Sequence, residues 1–276
     1  MSTKMNISRL SNAPLVLTLA ALEFAPVDKI REYIPELQDR LRRKYPERKE
    51  VRRKEINFNA SDNSTTTKDS LTWSFLSADR SWVVTINENS LVLATSKNYE
   101  GFSKFNDRFK EAVEFLKDVL QIDYFRRLGF RQIDNVFPDP DLEEQNRLSI
   151  EGLLEENFRN PATLRVGEVE ADHIEVRAKT EVGSLVARLH RRHMECNVPS
   201  VPNDLAGYVE QFSPPFPIKK VSELVILDID HFKGSPEGEL LNLNVDELIT
   251  DLQELKAGSI SVFCEIVTDE ALAKWE

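Results

Sequence analysis

The sequence predicts an α+β protein in which curved antiparallel sheet packs against long amphipathic helices, arranged as two α+β halves. Three observations predict it. Short stretches such as 82–86, 91–95 and 174–179 are apolar on alternate residues or throughout, at strand length. Residues 102–120 instead repeat apolar side chains at steps of three and four, which is helical spacing. Asn87-Glu88-Asn89 and Glu181-Val182-Gly183 link neighbouring strands too tightly for a crossover, so those strands pair antiparallel.

Taken in order, residues 1–12 are polar and 14–24 read as the first strand. The apolar run 13–25, with Lys4 and Arg9 ahead of it, has the outline of a signal segment. Glu23 inside the run, no small-x-small cleavage pattern and a helix directly after it favour a buried strand. No run reaches the roughly 20 apolar residues that a membrane helix needs. Pro26 ends the strand, and Asp28 is the expected N-cap of a helix extending to Tyr45. Ile30, Tyr33, Ile34, Leu37, Leu41 and Tyr45 form its apolar stripe, with Pro35 as its irregular point.

Residues 40–54 are the one basic stretch of an acidic chain. Arg40, Arg43, Lys44, Arg48, Arg52 and Arg53 are its candidate contacts to an acidic partner or a phosphate. The plain alternative is a solvated helix end favoured by the helix dipole.

A strand over 51–58, a polar loop over 61–69 and a strand over 70–77 follow. The last carries Leu71, Trp73 and Phe75 on one face. The 82–86 and 91–95 hairpin comes next, then the helix whose Phe102, Phe105 and Phe109 stripe is core. A further strand spans 127–137. Pro138-Asp139-Pro140-Asp141 is the strongest internal punctuation and divides the chain into halves, 1–137 and 138–276, able to share one sheet. Short helical turns are expected over 142–158, and a strand pair over 174–179 and 184–193. Residues 197–217, with five prolines, are expected to be irregular apart from one helical turn at 205–212.

Residues 221–232 give the strongest strand signal. Val225, Leu227 and Ile229 point one way, Leu224 and Ile226 the other, as in a central strand covered on both sides. Asp228 and Asp230 share the face of Leu224 and Ile226, and His231 follows. The three form a candidate Mg²⁺ or Mn²⁺ site, since hard cations take carboxylate oxygens. Two carboxylates are too few to close such a site, and the plain alternative is that they meet water or a neighbouring arginine. A loop over 233–238 leads to a long helix interrupted near Gly258, with a strand over 261–267 as its alternative. Thr268 caps a short final helix through Trp275.

The chain has 276 residues and a net charge of −11, which disfavours general nucleic-acid binding. Cys196 and Cys264 are far apart, without metal or disulfide spacing, which points to a reducing cytoplasm. Nine glycines supply no phosphate-binding loop or dinucleotide fingerprint, and there is no nucleophile elbow. His190 and His193 would leave a strand on opposite faces, which argues against shared zinc ligation and against a Cys196–His193 nucleophile.

Several landmarks occur together and in order: Pro14-Leu15-Val16 with Phe24-x-Pro26, the aromatic helix after Gly101, Arg127-x-Gly129-Phe130-Arg131-x-Ile133, Leu227-Asp228-Ile229-Asp230, and Thr268-Asp269-Glu270 before Trp275. In this the chain resembles, over most of its length, a sporadically distributed and functionally uncharacterised bacterial family. That family has no established catalytic residues, so no role is carried over. Its patchy distribution implies accessory genes such as antitoxin, immunity or phage-defence modules. The expected function is therefore a non-enzymatic, cytoplasmic, protein-binding accessory factor. It needs no cofactor and no membrane, and its partner is another protein or a second copy. The alternative is a ligand- or metal-binding module, or an enzyme, with its site at Asp228, Asp230 and His231.

Overall fold

The computed structural model describes residues 10, 12–59, 64–96, 101–159, 167–212, 218–235 and 238–276, with backbone alone at 53–59 and 64–70. The first part contains β1 (Leu15–Glu23), α1 (Ile30–Leu41), β2 (Glu47–Asn59), β3 (Ser64–Leu76), β4 (Trp82–Ile86), β5 (Ser90–Thr95), α2 (Phe102–Leu120), β6 (Tyr124–Phe125) and β7 (Arg127–Val136). After it come α3 (Ile150–Leu153), β8 (Ala171–Lys179), β9 (Ser184–Arg192), β10 (Cys196–Val198), α4 (Ala206–Val209), β11 (Lys219–Val221), β12 (Leu224–Gly234), β13 (Leu241–Asn242), α5 (Val245–Ile266) and α6 (Asp269–Trp275).

Among the described residues nine strands make one open antiparallel sheet in the order β2-β3-β4-β5-β1-β7-β12-β9-β8, so the α+β class holds. Six of the nine precede Pro138 and three follow it, and the seam is β7 against β12, from Val225 opposite Val136 to Gly234 opposite Arg127.

Central position explains the composition of β1 and β12. Ala20 and Leu22 of β1 face a core built with Ile34 and Leu37 of α1, Phe105 and Phe109 of α2, and Leu252 and Leu255 of α5. Leu17, Leu19 and Ala21 face the opposite side. Val225, Leu227 and Ile229 of β12 pack under Phe263, Ile266 and α6. On the other side, Leu224 and Ile226 meet Val198, Leu205, Phe212 and Val221 of the segment from β10 to β11. The helices thus cover one face, and the irregular proline-rich segment covers the middle of the other.

Several expectations are corrected. The polar stretch expected as a loop is a strand from Ser64 onward; residues 61–63 lie outside the described residues. Its run of three threonines favours extended backbone, which the polar composition concealed. The first helix starts one residue after Lys29, without a side-chain cap from Asp28, and ends at Leu41 rather than Tyr45. Strand β12 runs on to Gly234 (φ +81°), inside the expected loop.

The last long helix is continuous across Gly258, with no strand over 261–266. Asn244 caps it, accepting from the backbone N–H groups of Asp246 and Glu247. The expected cap of α6 is present: Thr268 Oγ1 accepts from Ala271 N–H (3.1 Å) and donates to Gly152 O (2.7 Å). No helix among the described residues is long and apolar enough to cross a membrane.

Candidate functional site

Asp228 and Asp230 share one face of β12, as alternation requires. The register then sets arginines around them. Arg131 of β7 lies opposite Asp230, and Arg188 of β9 lies opposite Asp228. Arg131 donates to both oxygens of Asp228, through Nε (2.7 Å) and Nη2 (2.8 Å), and Arg188 Nη1 adds a third bond (3.3 Å). Arg127 donates through Nη2 to both oxygens of Asp230 (2.9 and 2.8 Å) and through Nη1 to Glu23 (3.2 Å). The chain of charges continues from Arg188 to Glu175 (2.8 Å) and from Arg131 to Asp204 (2.6 Å). Arg127 also stacks over the Phe232 ring at 4.3 Å.

This is a lattice of alternating charge in which each buried carboxylate is met by charge-assisted bonds. Asp228 is 1% exposed and accepts three of them. Burial works against the charge of Arg131, but its bonds to the carboxylates of Asp228 and Asp204 outweigh it and hold the guanidinium above its ordinary range.

His231 lies on the opposite face. Its Nδ1 is 2.8 Å from Leu255 O of α5, and its Nε2 is 2.9 Å from Thr180 Oγ1. The structure therefore does not bring Asp228, Asp230 and His231 together as one metal-ligand set. Arginines take the carboxylates, and the two-residue period of the strand sends the imidazole elsewhere. Among the described residues no group of three His, Cys, Asp or Glu side chains is placed to hold a metal ion.

The basic stretch is also redistributed. Arg40 belongs to the last turn of α1 and Arg43 and Lys44 to the turn that follows it, whereas Arg48, Arg52 and Arg53 belong to β2. Arg40 pairs with Glu36 and Asp118, Lys44 with Glu111, and Arg52 with Glu50, while Arg48 donates to Gln38 (2.9 Å). Arg43 is exposed and makes no ion pair among the described residues; the side chain of Arg53 lies outside them. A cleft of about 530 Å³ runs beside this helix end, lined by Arg40, Arg42, Arg43, Lys44, Tyr45 and Glu111.

A second cleft, of about 410 Å³, opens on the sheet face beyond the arginine lattice. His173 of β8 and His190 of β9 are cross-strand partners, with ring centroids 6.0 Å apart and planes at 22°. Arg192 and Ile226 lie beside them, and Val201, Pro202 and Asn203 form the wall. The side chains of His173, His190 and Arg192 make no hydrogen bond or ion pair among the described residues. Burial lowers the pKa of His190, with nearby Asp228 opposing.

No family model, curated protein or solved structure matches this chain. Residue roles here rest on geometry.

The sequence reading set His190 beside His193 and missed His173. The signal was there. Counting outward from the turn at 180–183, residue 179 meets 184, and six steps further His173 meets His190. His193 instead lies near Asp172 (4.0 Å) and Glu223 (3.7 Å).

Proposed function

We propose that the protein is a non-enzymatic, cytoplasmic, protein-binding accessory factor that receives an acidic, extended segment of its partner along β2. The setting is an antitoxin, immunity or phage-defence module, as the family resemblance implies.

The observation that carries this reading is the open edge at β2. The strand is 13 residues long and among the described residues pairs only with β3, which in turn pairs with β4 only from Trp73 to Leu76. The distal part of the β2–β3 hairpin is thus a two-stranded ribbon beyond the rest of the sheet. Such a ribbon is marginal alone in water, and a third strand stabilises it. An edge strand presents unpaired N–H and C=O groups that accept an added strand. Cationic side chains on an edge ordinarily repel a second copy of themselves. Exposed Arg48 and Arg52 instead attract a segment bearing carboxylates, in a chain whose net charge is −11.

The test is purification from the native host with neighbouring genes at natural levels, followed by native mass measurement. The expected result is a heavier species containing a second protein, reduced at least about tenfold in yield by Arg48→Glu with Arg52→Glu. A bare monomer or homodimer in the host extract would overturn the proposal. So would a complex that the double substitution leaves intact.

A further inference from the structure

We propose that the cleft between β8, β9 and residues 201–203 is a binding site for a phosphoryl group, held by His173, His190 and Arg192. The site is separate from the β2 edge and does not depend on a partner there.

The argument begins with which charges are spent. In the neighbouring lattice each carboxylate has its cation: Asp228 is held by Arg131 and Arg188, Asp230 by Arg127, and Glu175 by Arg188 and Arg177. Asp172 also lines the cleft, together with Arg191, but its carboxylate pairs with that arginine, its cross-strand partner, at 3.7 Å. Asp204 is taken by Arg131. What remains directed into the cleft is a surplus of donors, comprising two imidazoles stacked across the strands and one guanidinium two residues along β9. In a chain of net charge −11, three adjacent donors without an acidic partner among the described residues form a site for an anion.

The number and arrangement of donors select the anion. A planar carboxylate is satisfied by the arginine fork alone, which would leave both imidazoles idle. A tetrahedral phosphoryl group presents three oxygens in different directions, one for each donor. The space is of ligand size, within the roughly 300–1,000 Å³ typical of small-molecule sites. Val201, Pro202 and Ile226 add an apolar wall beside the donors. Free phosphate and the phosphate of a small ester such as a mononucleotide share the recognised chemistry, and the wall distinguishes them.

The experiment is calorimetric titration of the full chain with inorganic phosphate and, separately, 5′-AMP at fixed salt, with imidazole resonances followed by NMR. Binding of either probe, with shifts at both His173 and His190, is the expected result. Arg192→Gln and the pair His173→Asn, His190→Asn should each weaken it at least about tenfold. Both histidines are surface-reaching, so the melting temperature of the double variant should match the parent and separate lost binding from lost folding. Tighter binding of 5′-AMP than phosphate assigns an ester that uses the apolar wall, and equal binding assigns free phosphate; either supports the site. It is overturned by no heat at millimolar probe, by acetate binding as tightly as phosphate, or by binding indifferent to all three substitutions. It is also overturned if Zn²⁺ alone shifts the two imidazoles while phosphate does not.

Discussion

His231 is held at both ring nitrogens. Nδ1–H donates to Leu255 O, and Nε2 accepts from Thr180 Oγ1, which itself accepts from Gly183 N–H at 3.0 Å. This short chain ties the β8–β9 turn, β12 and α5 together around a neutral imidazole, and burial lowers the pKa accordingly. Gly258 is the other half of the joint: a Cβ there would lie 2.6 Å from His231 Cε1. Alanine normally stabilises a helix by about 1 kcal/mol relative to glycine. Here Gly258→Ala should instead cost about 1–3 kcal/mol, measured by urea unfolding, because a ring bonded at both ends cannot step aside. Asp134 gives a second residue-scale prediction. It is 1% exposed, its bond is from Gln132 Nε2 (3.0 Å), and burial pushes its pKa up to about 7. The folded state therefore holds a proton that the unfolded chain releases near pH 4, so stability falls as pH rises from about 4 through 7. Asp134→Asn should flatten that slope and stabilise the protein at pH 8 by up to roughly 4 kcal/mol, read from denaturant midpoints across pH. The alternation that separates His231 from Asp228 and Asp230 was legible in the sequence. The bonds that neutralise each were not, because they come from strands about a hundred residues away.

At the scale of elements, the register of β7, β12 and β9 builds the arginine lattice, and Asp228 is its keystone. Asp228→Ala leaves Arg131 and Arg188 without their shared carboxylate in a largely buried setting, and should cost about 3–5 kcal/mol in chemical denaturation. A much smaller loss would mean that water solvates the two guanidiniums freely. Elements with one strong local signal were read correctly from sequence. The stripe of α2 had its phenylalanines, the β4–β5 hairpin had its asparagine turn, and α6 had Thr268. Elements whose signal conflicts with their place were not. The start of β3 is polar because it lies where the sheet narrows to two strands. Gly258 read as a break because its packing partner on β12 is not visible from α5 alone.

For the whole molecule, the division at Pro138 is crossed twice, by the β7–β12 seam and by the core beneath it. Leu248, Leu252 and Leu255 of α5 complete the cluster that Phe105, Phe109 and Leu116 of α2 begin. The full chain should therefore unfold in a single transition, with calorimetric and van't Hoff enthalpies in agreement. A fragment spanning 138–276 should lack cooperative folding, seen as a featureless near-ultraviolet spectrum. Two resolved transitions would show instead that the halves are independent. The position of β1 carries one more implication. This apolar strand sits between β5 and β7, and its Glu23 meets Arg127, 104 residues later. At the usual 5–20 residues per second of translation, a ribosome needs roughly 5–20 s to deliver that partner. For that interval Leu-Val-Leu-Thr-Leu-Ala-Ala-Leu stands outside the tunnel with an unclaimed edge, a segment of the kind that nascent-chain chaperones shield. Where β1 sits in the finished sheet thus makes the protein's yield depend on what escorts its first strand during synthesis.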